Sequence, residues 1–373
     1  MTTDAQLMQR ALELAANALF DTDPNPAVGC VVVADDVIVG EGWTQPAGSA
    51  HAEIVALEAA GARAAGATVY VTLEPCCHTG RTGPCTTALI AAGVTRVVYA
   101  LEDPNPAVAG RGAQLLRSAG IEVDVGCGAH AARRLNEGFI TRMETGRPFV
   151  RLKIAASIDG RTALRNGASK WITGPQARAD VHRWRARSSA VLTGIGTVLA
   201  DDPRLTARPA DPGIGFLPPL RVVLDSELRM PAQARMLLDN DAPVLVLTCA
   251  DLDRAPAFPA HVETVRVAAD AAGRCDLHAV LELLARRQIN DLMVEGGRTL
   301  CGALLSAGMA DELLLYTAPV VLGDDALGMF AIDGLTEMAQ RYEFTIDSVV
   351  QLGSDLRVVL RPGNFAPPHA SRS

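Results

Sequence analysis

The chain has 373 residues, about 2.5 times what one domain usually needs, so two domains are expected. Hydrophobic residues make up 49% and charged residues 20%, which excludes a disordered tail protein and a coiled coil. With 34 basic against 42 acidic residues the net charge is −8, which disfavours a nucleic acid held by diffuse attraction but leaves room for a small phosphorylated ligand gripped by a few arginines.

A first helix is expected over 4–20, where Leu7, Met8, Ala11, Leu14, Ala15, Ala18 and Leu19 recur at helical spacing behind Asp4. Val28–Val33 and Val37–Gly42, separated by Ala-Asp-Asp, predict a hairpin. A helix over 51–63, a strand over 68–73, a cysteine-rich loop, a helix over 85–92 and a strand over 96–101 follow. Helices over 111–119 and 129–143 around a strand at 121–125 complete a three-layer α/β unit. Gly146 and Pro148 interrupt the pattern, and a fresh strand starts at Phe149, so the domain boundary is placed there. Beyond it, strands over 149–156, 190–192, 221–225, 244–248, 262–267, 291–294 and 312–316 and a 344–361 hairpin alternate with helices over 175–187, 277–287 and 299–307, a second α/β domain. Residues 364–373 read as a flexible tail. The hexapeptide Asp-Pro-Asn-Pro-Ala-Val occurs at 23–28 and 103–108, which predicts two rigid turns, or else Asn25 or Asn105 offering an amide to a ligand. No apolar run reaches a membrane span, and the first residues carry no basic-then-apolar signal pattern, so a cytoplasmic protein is expected.

The most specific pattern is His51-Ala-Glu53 followed by Glu74-Pro-Cys76-Cys77-His78 and, after a short loop, Pro84-Cys85. A zinc that activates water needs three protein ligands, one open position and a carboxylate that moves protons without binding the metal. His51, Cys76 and Cys85 can supply the ligands and Glu53 the carboxylate. Residues two apart on a helix point nearly opposite ways, so His51 and Glu53 converge only if the metal sits at a helix end. Pro75 and Pro84 each precede a cysteine and favour turns or helix starts, where exposed N–H groups stabilise thiolates. The competing reading is a closed structural site with Cys77 or His78 as fourth ligand, which leaves Glu53 without a task. Cys77 is read as a buried thiol outside the ligand set, and Cys30, Cys127, Cys249, Cys275 and Cys301 as core.

These residues resemble the cytidine-deaminase superfamily, whose fingerprint is His-x-Glu followed by Pro-Cys-x-x-Cys. Here the second cysteine follows after a longer loop, and with Pro24-Asn-Pro-x-Val-Gly29 upstream the stretch 20–110 is similar to the deaminase of riboflavin biosynthesis. The resemblance implies one zinc per chain on His51, Cys76 and Cys85. It also implies hydrolytic loss of an exocyclic amine from a phosphoribosylated pyrimidinone, with Glu53 as the catalytic proton carrier.

In the second domain Thr193-Gly-Ile-Gly-Thr-Val198 offers Gly-x-Gly after a strand, but position 199 is Leu and the G-x-G-x-x-G pattern fails. Val294-Glu-Gly-Gly-Arg-Thr-Leu300 lies between strand and helix, where glycines permit close backbone approach and a helix N-terminus can hold phosphate. Lys153-Ile-Ala-Ala-Ser-Ile-Asp-Gly-Arg161, Ser169-Lys-Trp-Ile-Thr173, Val198-Leu-Ala-Asp-Asp-Pro203 and the Glu295-Gly-Gly loop resemble the reductase domain fused to that deaminase, a dihydrofolate-reductase-like fold using NADPH, over 149–360. The resemblance implies NADP contacts at Ala155, Trp171, Thr197, Asp201 and Ser226 and along a loop of Gly297, Arg298, Thr299, Leu300, Cys301, Gly302 and Ala303. It implies substrate contacts at Ser169, Arg185, Leu205, Arg208 and Glu295, and hydride transfer to C1′ of the opened ribose. An arginine fork suits the 5′-phosphate, with Arg185 and Arg208 as candidates. Lys153 and Asp201 are both open as proton donors or as groups that orient the sugar. Trp171 is open as core, and Arg183 and Arg187 read as a solvated helix face.

The expected protein is therefore a bifunctional enzyme. Residues 1–147 form a cytidine-deaminase-like α/β/α domain, 148–363 a dihydrofolate-reductase-like α/β domain, and 364–373 the tail. It acts on a small phosphoribosylated pyrimidine, without nucleic acid or membrane, and the resemblance implies a homo-oligomer. The competing readings are a tRNA or nucleobase deaminase with a non-catalytic NADP-binding second domain, and a zinc-stabilised or NADP-sensing protein without turnover.

Overall fold

Thr3 opens the first helix: its hydroxyl accepts the Gln6 N–H, and Gln6 Oε1 accepts the Thr3 N–H, a reciprocal cap on α1 (Asp4–Ala15). The computed structural model describes residues 3–78, 83–209 and 215–363, so the expected tail lies outside the described residues. Among these, two compact units form: 3–146 with 215–217, and 147–209 with 218–363. The short segment 215–217 thus clusters with the first unit, where Leu217 N–H donates to Phe20 C=O (2.9 Å).

In the first unit β1 (Gly29–Ala34) and β2 (Val37–Trp43) form the expected hairpin, turned by Asp35 and Asp36 at φ 51° and 60°. Two consecutive left-handed residues match the right-handed twist of the strands, and Asp tolerates that conformation. After α2 (Ala52–Ala60), β3 (Thr68–Val71), α3 (Cys85–Ala91), β4 (Arg96–Tyr99), α4 (Arg111–Ser118) and β5 (Glu122–Val125), the sheet reads β2-β1-β3-β4-β5, with β3, β4 and β5 parallel. Alternate residues of β1 serve opposite faces. Val31 and Val33 pack on α1 residues Leu7, Met8 and Ala11, while Cys30 and Val32 pack with Ala52, Ala56 and Ala60 of α2. The sheet is therefore sandwiched between helices. The hairpin meets both helices at backbone distance: a Cβ on Gly29 would stand 1.9 Å from the Ala11 carbonyl and one on Gly40 2.1 Å from that of Ala56.

The single helix expected over 129–143 is two, α5 (Ala129–Leu135) and α6 (Glu137–Thr145), broken at Asn136. Asn136 is buried, and its amide exchanges two hydrogen bonds with the Ala27 backbone: Ala27 N–H donates to Oδ1 (2.8 Å) and Nδ2 donates to the Ala27 carbonyl (2.9 Å). A tertiary contact 109 residues away in sequence overrides local periodicity and pins the first Asp-Pro-Asn-Pro turn.

In the second unit β6 (Phe149–Ser157), β7 (Arg161–Ala163), α7 (Pro175–Arg187), β8 (Ala190–Gly194), α8 (Ile195–Asp201), β9 (Leu220–Leu224), α9 (Arg235–Leu238), β10 (Val244–Thr248), β11 (Val262–Arg266), α10 (Leu277–Arg286), β12 (Asp291–Val294), α11 (Arg298–Ser306), β13 (Glu312–Ala318), β14 (Leu327–Gly328), β15 (Phe344–Leu352) and β16 (Asp355–Pro362) follow in turn. The large sheet runs β11-β10-β9-β8-β12-β6-β13-β16-β15, parallel from β11 to β13 and closed by the antiparallel β16–β15 hairpin. α10 and α11 cover one face through Val280, Leu284, Leu304 and Leu305, and α7, α8 and α9 the other through Val181, Val198 and Met236. The strands β7 and β14 and helices α8 and α9 were not expected; each is short, and none carries a periodicity that a sequence window resolves.

Replacing Asn136 by Ala strands both Ala27 backbone groups in a buried site at about 1–3 kcal/mol each. Asn136→Ala is therefore expected to lower the melting temperature by several degrees in a thermal scan, and an unchanged transition would show that water replaces the amide.

Candidate active sites

His51 is the N-cap of α2, with extended backbone (φ −77°, ψ 163°), and Glu53 lies in the first turn. This is the helix-end placement that lets two residues so close in sequence face one point. Pro84 is likewise the N-cap of α3 and Cys85 its first residue. Two helix N-termini, each a source of partial positive charge, thus meet where thiolates are needed. His51 Nδ1 lies 3.6 Å from Cys76 Sγ and 3.3 Å from Cys85 Sγ, and the three ligand atoms all fall within 4.8 Å of one another. Tetrahedral zinc with Zn–S of about 2.3 Å and Zn–N of about 2.0–2.1 Å separates S from N by about 3.5 Å, so this donor set fits zinc with Nδ1 as the histidine nitrogen turned toward both sulfurs.

The Cys85 N–H donates to Cys76 Sγ (3.4 Å), and the Thr86 N–H and hydroxyl both reach the Cys76 carbonyl (3.1 and 3.3 Å), locking the loop to α3. The Cys85 thiol, then His51 and the Cys85 N–H, pull the Cys76 thiol well below its ordinary pKa against its burial. Glu53 is 4% exposed; burial, then the Cys76 charge, push its carboxyl up to about 7. A divalent cation on the three ligands adds an opposing charge that draws it down. Among the described residues neither Cys77 nor His78 joins the ligand group, which removes the closed-site reading. Cys77 is half-buried rather than buried, its thiol directed at the Ala107 carbonyl (3.8 Å).

Glu74, quoted in the motif but given no role, is the buried strut of this site. Its carboxylate accepts the N–H groups of Asp103 (3.3 Å), Gly110 (2.9 Å) and Ala113 (3.1 Å), tying the second Asp-Pro-Asn-Pro turn and the start of α4 to the zinc loop. Gly112 permits this approach, since a Cβ there would stand 2.2 Å from the Pro75 carbonyl. Within the turn Asp103 accepts the Asn105 N–H (2.8 Å) and Asn105 the Ala107 N–H (3.1 Å), the turn reading of the repeated hexapeptide. Burial pushes the Asp103 carboxyl up to about 6.

In the second unit the expected cofactor residues lie near or beyond the C-terminal ends of parallel strands: Ala155 on β6, Thr197 after β8, Ser226 after β9 and Gly297 after β12. Gly194 and Gly297 are N-caps of α8 and α11 without a side-chain cap, and Thr197 Oγ1 lies 4.0 Å from where a Cβ on Gly297 would stand. Adjacent strands β8 and β12 therefore present two neighbouring helix starts with open first-turn N–H groups, which fits a diphosphate. The run expected as a loop is helical from Arg298. Gly297, Arg298 and Thr299 are exposed, Leu300 and Ala303 are half-buried, and Cys301 and Gly302 face the core, the latter against Ala331. Ser226 commits its hydroxyl to Cys275, accepting its N–H (3.0 Å). Trp171 is 71% exposed with the Arg178 guanidinium 4.7 Å from its ring, which excludes the core reading. Lys170 Nζ reaches the Asp201 carbonyl (3.0 Å) and carboxylate (3.6 Å), and Ser169 beside it is half-buried. Arg187 lies over the Trp184 ring (5.4 Å) instead of being solvated.

The expected substrate residues Arg185 and Glu295 face each other. Arg185 Nε and Nη2 grip both carboxylate oxygens (Nη2 to Oε2 2.9 Å), and Lys153 Nζ stands 3.8 Å from Oε2. The fork expected to hold phosphate is thus occupied by Glu295, while Arg208 is exposed. Leu205 is buried, so its side chain is core. Burial alone would raise the Glu295 pKa; Arg185, then Lys153 and His182, outweigh it and hold it at about 2. Burial draws the Lys153 pKa down. A carboxylate lowered in this way stabilises the fold fully above its unfolded pKa of about 4.3 and loses that contribution as pH falls toward 2. Glu295→Gln removes the counter-charge of two largely buried cations, an expected loss of about 3–5 kcal/mol read as a fall in Tm at neutral pH. A Tm equal to that of the unmodified protein would contradict the pairing.

Residues 1–101 match the family model for the cytidine and deoxycytidylate deaminase zinc-binding region, and residues 148–358 that for the RibD C-terminal domain. The chain is 47% identical over 364 residues to the riboflavin biosynthesis protein RibD of Escherichia coli (strain K12), covering 95% of this chain and 98% of that one. It is 44% identical over 368 residues to RibD of Haemophilus influenzae, covering 96% and 97%. Among solved structures, form 1 of Acinetobacter baumannii RibD superposes with a TM-score of 0.90 at 46% identity, covering 97% of this chain and 99% of that one. A diaminohydroxyphosphoribosylaminopyrimidine deaminase/5-amino-6-(5-phosphoribosylamino)uracil reductase from Thermotoga maritima gives 0.86 at 36%, covering 96% and 99%.

Proposed function

The chain belongs to the RibD family of riboflavin biosynthesis proteins, and on that premise we propose how its own residues divide the two steps of a deaminase–reductase. The enzyme is bifunctional. It hydrolytically deaminates 2,5-diamino-6-(5-phosphoribosylamino)pyrimidin-4-one with zinc, then reduces the ribosyl side chain with NADPH to give 5-amino-6-(5-phosphoribitylamino)uracil. The deaminase is assigned to residues 1–147 and the reductase to 148–363, a division supported by the two family matches and by the two compact units.

The observation that carries the deaminase is the grouping of His51 Nδ1, Cys76 Sγ and Cys85 Sγ with buried Glu53 beside them. Zinc held there supplies Lewis acidity that lowers the pKa of water toward ~7. Glu53, outside the ligand group, would take one proton from the water and give it to the ring nitrogen, and would then carry the second, from the hydroxyl newly bonded to the ring carbon, to the leaving amino group, so that ammonia departs as the carbonyl forms. In the reductase NADPH supplies the hydride. The open helix starts at Gly194 and Gly297 would hold its diphosphate, with Ala155, Thr197 and Ser226 along the same strand ends, Asp201 at the end of α8 and Trp171 on a loop. Arg298, Thr299 and Leu300 offer first-turn N–H groups, whereas Cys301, Gly302 and Ala303 support the helix from behind. Arg208 takes the substrate's 5′-phosphate. Leu205 touches substrate through its backbone, Ser169 through its hydroxyl, and Glu295, held by Arg185 and Lys153, orients the ribose.

Among the described residues no helix is long and apolar enough to cross a membrane, and a cytoplasmic location is proposed with the biosynthetic role. The exposed apolar residues Ile346, Val349 and Val350 on edge strand β15 support the expected homo-oligomer.

Glu53→Gln is expected to retain zinc by metal analysis while ammonia release falls roughly 10²–10⁴-fold. Cys85→Ser should lose the metal as well. The Gln variant should oxidise NADPH normally when given the deaminated ribotide. Wild-type ammonia release from zinc-loaded Glu53→Gln would remove Glu53 from the mechanism.

A further inference from the structure

Leu205 has a backbone φ of 55°, a left-handed conformation that a branched side chain adopts only where its surroundings impose it. Its side chain, 3% exposed, is anchored in the apolar cluster of Val181, Ile195 and Val198. The carbonyls on either side are held by cationic or polar donors. Arg221 Nη1 donates to the Arg204 carbonyl (3.3 Å), while Arg185 Nη1 (3.1 Å) and His182 Nδ1 (3.2 Å) converge on the Thr206 carbonyl. Arg221 also serves Asp239 and the Ala242 carbonyl, and Arg185 grips Glu295. His182 and Arg185, three residues apart on α7, share a helix face and therefore reach the same oxygen.

We propose that His182 is a positioning residue of the reductase: by donating to the Thr206 carbonyl it sets the strained turn that carries Leu205 and Arg208 to the phosphorylated end of the substrate. This rests on the reading that Arg208 takes the phosphate. A carbonyl can only accept, so Nδ1 carries the proton and the ring is the Nδ1–H tautomer. Burial, then Arg185 and Arg208, hold the His182 pKa at about 4 against the opposing Thr206 carbonyl and Glu295, so at neutral pH the ring is uncharged. A neutral donor can fix the turn without adding a third positive charge beside Arg185 and Arg208, which a lysine at this position would do. Without His182 the Thr206 carbonyl keeps only Arg185, whose guanidinium is already committed to Glu295, so the turn loses one of its two donors and can shift around its Leu205 anchor. Arg208, two residues on, then no longer stands where the phosphate binds.

The test is steady-state kinetics of the full-length enzyme on the deaminated ribotide and on its dephosphorylated riboside. It compares His182→Asn, whose amide nitrogen stands near the Nδ1 position, with His182→Gln, whose amide stands near Nε2 and cannot reach Thr206. His182→Gln is expected to raise the ribotide KM roughly tenfold, with kcat, the NADPH KM and ammonia release in the deaminase assay within twofold of the unmodified enzyme. His182→Asn should recover most of that loss, and on the riboside the two variants and the unmodified enzyme should converge, because the phosphate contact is gone. A purely structural role predicts instead that both variants lose kcat and NADPH affinity together, or that the Gln variant is as impaired on the riboside as on the ribotide; either result overturns the proposal, as does an unchanged ribotide KM in His182→Gln. Arg208→Ala run alongside separates the premise. A normal ribotide KM there refutes the phosphate assignment itself, whereas a raised KM with a silent His182→Gln refutes only the role of His182.

Discussion

A parallel strand can be joined to its neighbour only by a crossover, so the loops that leave the C-terminal ends of a parallel sheet emerge along one edge. Both units are built on that constraint. In the first, the Glu74–Cys76 loop follows β3 and the Asp103 turn follows the adjacent, parallel β4, which is why the two can be tied together by a single carboxylate. In the second, β6, β8, β9 and β12 deliver Ala155, Thr197, Ser226 and Gly297 to the same edge. The helices that return from these loops start there too, so their N-termini present backbone N–H groups beside the thiols in one unit and without a side-chain cap at Gly194 and Gly297 in the other.

The second common device is the buried charge with both carboxylate oxygens hydrogen-bonded. Glu74 accepts three backbone N–H groups, and Glu295 is held by Arg185 with Lys153 close by. An unpaired carboxylate in either place would cost several kcal/mol, so each pair is worth keeping only where position matters more than net stability. Arg151 repeats the pattern at the opposite end of β6, pairing with Glu312 across the β6–β13 register. The consequence is rigidity where a small substrate has to be oriented. It also explains why Arg185, which looks from its residue type like a phosphate ligand, supports a carboxylate instead.

Much of the first site was legible beforehand, because its chemistry is local. His51 and Glu53 sit two apart, Cys76 and Cys85 are each preceded by proline, and those spacings constrain a helix start and a turn whatever the rest of the chain does. The strands were legible for the same reason, since alternation and β-branched runs are properties of five to nine residues. Where the reading failed, a distant partner had intervened. Asn136 breaks a periodic helix because Ala27 needs its amide. The run 297–303, read as a loop, is helical from Arg298, which turns Cys301 and Gly302 toward the core, Gly302 against Ala331. His182 carried no signal at all: a lone histidine in an arginine-rich helix gives no hint of the carbonyl it faces across 24 residues of chain.

The amino-acid sequence by itself carried the α/β class and, through its resemblance to a known family, the pairing of a deaminase with a reductase. Residue chemistry and short spacing supplied the expected break near residue 147 and the candidates His51, Glu53, Cys76 and Cys85. Only the tertiary structure decided that His51 turns Nδ1 toward Cys76 and Cys85, that Glu74 ties the second Asp-Pro-Asn-Pro turn to the cysteine loop, and that Arg185 spends its fork on Glu295. The reason is that hydrogen bonds and ion pairs fall off within a few ångströms. Which donor meets which acceptor is therefore set by how sheets and helices stack, a distance in space that separation along the chain does not encode.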